Sequence, residues 1–444
     1  MAFRSALLRP QPARNRLWQV GGLVALILFA LVLTNQFLPD EEAVTRSTLG
    51  LDFVPFYSAG RLVAEGKSDL LYDFAALGKY QREYVWPQIP DAKPTLGHWW
   101  NPPHFALPMT AFASMSFDEA VNRWTAINLI CLLVCVALLV HFVRRHVDRS
   151  WTSWAIVPLL VIGSYPTMQA LGHGQNTMIS LLLLAGIALA WQGRRAVLAG
   201  ILCGLLCYKP QLAALVGLML VFTLGRRVLL SMLVVGLLTF AISEAFLPGA
   251  IATWIIETPG NLAAIQGATD YHWHRHVTIV GFINTLATDP SHWMPKLIAS
   301  VARVAIFLGV LWQWWQYRWA WDESRIARWR VIAITIFATP LVMPFYFDYD
   351  LLLLAVGATL LAADMHRETR RTPFDSAVVW LGLLVVVLTP LSVMLSLETG
   401  IHILVIAQLF LFGTLLARSQ RLADATAETM SSPLIAFRLS ASRR

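Results

Sequence analysis

Charge is scarce in this 444-residue sequence. Asp, Glu, Lys and Arg together make up 14% of it and hydrophobic residues 57%, whereas a soluble globular domain carries about 25% charged residues. Cysteine is scarce too. The four present, Cys131, Cys135, Cys203 and Cys207, fall inside apolar runs as two pairs spaced four apart. That spacing puts both members of a pair on one face of one helix, where they read as small packing residues rather than a disulfide framework or metal site. Heptads, low-complexity linkers and short-period repeats are missing, which excludes coiled coils and solenoids. No small-residue cleavage site follows the first apolar run. The basic stretch RPQPARNRLW therefore leads into an uncleaved helix, not a signal peptide.

What the sequence does have is long apolar runs. They cover 18–38, 121–143, 151–170, 176–192, 196–208, 210–224, 228–247, 297–317, 331–346, 349–364, 376–397 and 401–417. Runs of this kind along the whole chain specify an all-α, polytopic transmembrane protein of about 12 membrane helices. Several are shorter than the roughly 20 residues a crossing takes. The runs 196–208 and 210–224 lie between two "GRR" triplets, at 193–195 and 225–227. With both triplets cytoplasmic an even number of passages separates them, so these runs read as two short helices meeting at Lys209-Pro210.

The net charge is +8, but its distribution argues against nucleic acid as a partner. Arginines cluster in short loops between apolar runs, the pattern of cytoplasmic anchoring. A cytoplasmic amino terminus puts Arg144, Arg194, Arg226, Arg328, Arg370 and the tail 418–444 on one side. A single membrane domain, 1–417, then turns two long segments outward, 39–120 and 248–296. Loops beyond about 12–15 residues are usually functional or disordered, and these are too aromatic for disorder. Chemistry is expected on the outer side.

Five stretches carry candidate residues. In "LGLDFVPFYSAGRLVAEGK", Asp52 reads either as a cap for the helix that follows or as a general base at the membrane boundary. Lys209 in "LCYKPQLA" is costly between apolar half-helices unless it pairs, snorkels or binds an anionic headgroup such as a phosphate. "GHGQNTM" offers His173, Gln175 and Asn176 at a helix start, as caps or as an anion site. In "DYHWHRH", His272, His274 and His276 alternate around Arg275; the HExxH pattern is absent, and His with Arg suit a phosphate or sugar better than a metal. In "MPFYFDYDLLLL", Asp348 and Asp350 read as caps, and Phe345, Tyr346 and Tyr349 as an interfacial belt or the border of a sugar or lipid site.

Taken in order, "LDFVPFYSAGRLVAEGKSDLLYD", "WWNPPHFALPMTAFASM", "GHGQNTMISLLLLAGIALAWQGRRAVLAGILCGLLCYKPQ" and "PFYFDYDLLLL" resemble glycosyltransferase family eighty-seven, membrane enzymes of GT-C fold. The group includes polyprenyl-phosphate-mannose-dependent α-1,2-mannosyltransferases, and the resemblance runs from about Leu49 to Ala363. It implies inverting transfer of a hexose, mannose in the type case, from a polyprenyl-phosphate donor. The acceptor is a lipid or glycan hydroxyl at the outer face of a bacterial inner membrane, among membrane lipids and with no metal or other cofactor. The family's base is a carboxylate in the first external loop, and Asp52 is the matching position. Lys209 matches its basic residue before proline, a donor-phosphate contact. Arg61 closes the Tyr-x-Ala-x-Arg part of the pattern. Gln175, Asn176, Arg275, Asp348 and an external histidine, His274 or His276 among them, complete the expected substrate contacts. "WHRHVTIVGFIN" departs from the Asn-x-Ser pattern expected there, which leaves the acceptor unassigned.

A secondary transporter or flippase shares the polytopic plan, the broken helices and the intramembrane lysine. It calls for two halves of similar pattern, which this sequence lacks. A non-catalytic lipid-binding protein is the third reading, and loss of activity on changing Asp52 separates it from an enzyme. The arginine distribution also makes a prediction. Cysteine labels placed in 60–95 and beside His274 should react with an impermeant reagent from outside, and labels beside Arg194, Arg227 and Arg328 should not. Labelling beside 194 and 274 from the same side would break the scheme.

Overall fold

The computed structural model describes residues 50–90, 94–147, 151–267, 271–287, 289, 292–318, 320–321, 324–368 and 372–431. The apolar run 18–38, Asp270, Arg370 and the end of the tail lie outside the described residues. The first long segment folds as α1 (Val54–Ala64), α2 (Phe74–Tyr80) and several tight helical turns before α3 (Phe117–His146). α3 starts ahead of its apolar run because Ser116 caps it, accepting from the Glu119 amide at 3.3 Å. Asp118 and Glu119 in its first turn and Arg144 and Arg145 in its last complement the helix dipole.

The single helix expected over 151–170 is two, α4 (Trp151–Ile162) and α5 (Tyr165–Gly172). A start signal is embedded in the run: Ser164 accepts from the Thr167 amide, and Pro166 sits in the first turn. α6 (Thr177–Gln192), α7 (Ala196–Leu206), α8 (Pro210–Leu224) and α9 (Arg226–Phe246) follow the runs, with α7 and α8 meeting at Lys209-Pro210. The second long segment carries helices of its own, α10 (Ala250–Gln266) and α11 (Ile279–Leu286). The chain ends with α12 (Trp293–Tyr317), α13 (Arg325–Val342), a tight turn Asp348–Leu353 leading into α14 (Leu354–Arg367), α15 (Asp375–Thr399) and α16 (Ile403–Ser431). α13 stops short of residue 346 because Met343 precedes a proline and takes extended backbone.

Six of the described helices are long and apolar enough to cross a bilayer. The protein is an all-α polytopic membrane protein, and its helices divide by surroundings. α12 exposes Val301, Val304 and Leu308. Its exposed Trp293 and Trp312 are separated by about 28 Å of helix, close to the hydrocarbon thickness that interfacial tryptophans bracket. α13 is buried along most of its length and packs against α6, α8, α14 and α16. A helix walled by protein need not match the bilayer, which explains the short α6.

Each end of this core carries a polar cluster. At the end where α6 finishes, fully buried Asp364 accepts from Arg330 Nε at 2.8 Å and from Arg418 Nη1, while Arg418 Nε reaches Asp375 at 2.8 Å. The tail boundary expected at 418 therefore falls inside a helix. α16 continues to Ser431, and within it Arg418 is held between two carboxylates. Shared partners are what allow such charges to stay buried. At the other end lie the start of α6, the α7–α8 turn, residues 271–278 and residues 346–350. The first segment docks there through an aromatic core, with Phe53 stacked on Trp124 at 5.5 Å between centroids.

Candidate active site

The site is built where two turns meet. The Gly50 amide donates to the Gly172 carbonyl at 2.7 Å and the Asp52 amide to the His173 carbonyl at 2.9 Å. Trp124 Nε1 adds a bond to the Gly174 carbonyl at 2.7 Å. Gly174 itself has φ +74°, and a Cβ there would lie 2.9 Å from Phe53 Cβ. Only glycine allows both the conformation and the close approach.

Asp52 is not used as a helix cap. Neither the turn it occupies nor α1 has a side-chain cap bond. Its Oδ2 accepts from Gln175 Nε2 at 2.8 Å and lies 3.6 Å from His173 Nδ1. Among the described residues Oδ1 has no hydrogen-bond partner, and the side chain is 32% exposed. A carboxylate steadied on one oxygen and open on the other has the form a general base needs.

The other two carboxylates are held differently. Asp348 is buried; its Oδ1 faces Arg275 Nη2 at 3.3 Å and accepts from the Tyr349 amide at 3.0 Å. Asp350 is buried as well, accepting from Lys209 Nζ at 3.2 Å and Thr177 Oγ1 at 2.9 Å. The Tyr349 ring stands between the two pairs, with Lys209 Nζ 5.7 Å and the Arg275 guanidinium 5.9 Å from its centroid. Burial works against the charge on Arg275, but Asp348 and then Asp52 more than offset it, and its pKa is raised. One cation is thus held within the field of both Asp348 and the open Asp52.

The remaining sequence candidates separate. His276 is fully buried and bonded through Nε2 to Tyr271 OH at 2.8 Å. Burial, with Arg275 adding, pushes its imidazole down to about 3, so it is neutral. Its backbone pairs with Phe347, and the Val277 amide reaches the Tyr346 carbonyl at 2.9 Å, which ties the Arg275 turn to the Asp348 turn. His274 packs against His272 at 5.3 Å between ring centroids. Asn176 is fully buried with neither side-chain polar atom bonded, and its carbonyl accepts from Tyr208 OH at 3.1 Å. Arg61 stands apart, over the Tyr57 ring and 3.5 Å from Glu65. Asp270 is outside the described residues. Sequence reasoning missed the pairing of Asp350 with Lys209 and the place of His173 beside Asp52. The only signal for the first was a pair of carboxylates in "FDYD" with two unpaired cations elsewhere.

A family model for glycosyltransferase family 87 matches residues 99–344. The chain belongs to that family. No curated protein and no solved structure matches it. Membership makes the protein a membrane glycosyltransferase, with donor and acceptor substrates. The matched span includes His173, Gln175, Lys209 and Arg275, while Asp52, Asp348 and Asp350 lie outside it. In this family 87 enzyme the match and the flanking carboxylates converge on one surface, because the turns at 52 and 348 pack against matched residues.

Lys209 can be tested through its partner. Lys209→Met leaves the buried Asp350 carboxylate with Thr177 alone, and breaking such a pair costs about 3–5 kcal/mol. The thermal midpoint in detergent should fall, and adding Asp350→Asn should recover most of the loss. An unchanged midpoint in Lys209→Met would show that the pair contributes nothing to the fold.

Proposed function

We propose that the protein moves a hexose, mannose, from a polyprenyl-phosphate donor to a lipid or glycan hydroxyl. We place this at the outer face of a bacterial inner membrane, in a GT-C-like domain, with inversion at the anomeric carbon and Asp52 as base. The observation that carries the reading is the state of Asp52: its Oδ1 is open, while Asp348 and Asp350 are each occupied by a cation.

The chemistry needs little more. An acceptor hydroxyl is a poor nucleophile until a base accepts its proton as the new C–O bond forms, which contributes about 10²–10⁴-fold. The departing lipid phosphate is already an anion and gains charge as the bond breaks, so it calls for a cation fixed in advance. Arg275 is better placed for this than Lys209, since its side chain is 23% exposed against 10% and it lies within the field of Asp52. Phe347, partly exposed and against which the guanidinium lies, offers an aromatic face for sugar or prenyl carbon, backed by the buried Tyr349 ring stacked on it. Lys209 acts through Asp350, holding the turn that carries Tyr349.

Asp52→Asn tests the base directly. The amide can still accept from Gln175, so folding and donor binding should survive. Turnover of labelled polyprenyl-phosphate mannose with membrane lipid extract should drop by at least about 10²-fold. An Asn variant with near-normal turnover would remove Asp52 from the mechanism.

A further inference from the structure

Beyond Asp52 a chain of polar groups leads into the protein. His173 Nδ1 faces Asp52 Oδ2 at 3.6 Å, and His173 Nε2 lies 2.6 Å from Gln169 Oε1. The Gln169 amide nitrogen donates to Tyr165 OH. With the Gln169 amide oriented in this way, that order selects the tautomer. With Gln169 Nε2 committed to Tyr165, its Oε1 can only accept, so a neutral His173 carries its proton on Nε2. Nδ1, the nitrogen turned toward Asp52, is then a free lone pair. Two acceptors facing each other do nothing for the resting site. They suit a site that must hold one more proton than it starts with.

We propose that Asp52 and His173 form a proton-accepting dyad, in which Asp52 takes the acceptor's proton and His173 Nδ1 stores it. The inference rests on the assignment of Asp52 as base. In the step, the acceptor O–H bond breaks and its oxygen bonds to the anomeric carbon. The C–O bond to the donor phosphate breaks, and its electron pair leaves with the phosphate. The proton goes to the open Oδ1. A half-turn about the soft terminal torsion of the carboxyl brings that oxygen to the histidine. Closing the 3.6 Å gap gives an imidazolium between Asp52 and Gln169 Oε1. Once product leaves, the His173 Nδ1–H bond breaks and the proton passes back to Asp52, whose exposed edge hands it to water and leaves the carboxylate and neutral imidazole restored. Burial, the largest influence, and Arg275 oppose the imidazolium, Asp52 and Asp348 favour it, and the net effect is a lowered imidazole pKa. Storage is therefore transient. His173 is held for the role through its backbone, its amide donating to Gln169 and its carbonyl accepting from Asp52.

His173→Gln removes the store and leaves both backbone bonds. With the full chain in detergent, labelled polyprenyl-phosphate mannose and membrane lipid extract, kcat should fall by about 10²-fold while the donor KM stays put. The acid limb of the pH profile should change, because the imidazole that must start neutral to take the proton no longer titrates. His173→Gly should regain turnover when imidazole is added. An acid limb that does not move, with no imidazole rescue, overturns the dyad. It would mean that Gln169 is turned the other way and that His173 holds its proton toward Asp52 merely to orient it. Asp52→Asn in the same assay separates the two claims. An active Asn variant overturns the base and the dyad together; an inactive one beside an unmoved limb in His173→Gln overturns the dyad alone.

Discussion

Everything at the site depends on one contact, the docking of the turn at 50–53 onto the turn at 172–176. Two backbone bonds and the indole of Trp124 make it, and Gly174 permits it. The first turn comes from a segment outside the helical core and the second from the joint between two core helices. Their union places Asp52 beside Gln175 and His173, which its own segment could not supply. It also explains the aromatic mass of the first segment. Phe53, Phe56, Phe112 and Trp124 form a buried pack whose consequence is the position of one carboxylate.

The two ends of the core show how charge is managed in a medium that penalises it. At the end with Asp364, the buried Asp364, Arg330 and Arg418 each have an opposite charge in contact, and the cluster reads as structural. At the site end, Asp348 and Asp350 follow the same rule, each with a cation of its own. Asp52 departs from it. Its neighbours there are an amide and an imidazole, and one oxygen is left open. Departures from full compensation mark functional groups, because stability alone would close them.

Much of the fold was legible because long apolar runs report on membrane helices directly. α6 and α8 begin and end within a residue of the runs. The break at Ser164 was not, since three polar atoms inside an apolar run barely alter its hydropathy while making a complete helix start. Pairings across the chain were out of reach. Lys209 and Asp350 are separated by 141 positions, and no local pattern links them. Arg418 looked like tail for the same reason: its partners, Asp364 and Asp375, are on other helices. In "DYHWHRH" the strand-like alternation did not show which way each residue would face, because the stretch folds as a tight turn over Trp273–Arg275. His276 turned inward to Tyr271, and Arg275 turned to Asp348.

With Asp348 and Asp350 occupied, only Asp52 among the described carboxylates of the site is free to act. One free carboxylate supports a single displacement, with no partner to form and break a covalent sugar intermediate. The anomeric configuration of the product, read by NMR against that of the donor after one turnover of purified protein, tests this directly. The account predicts inversion. Retention of the donor's configuration would contradict it, because it would require a nucleophile that this arrangement does not supply.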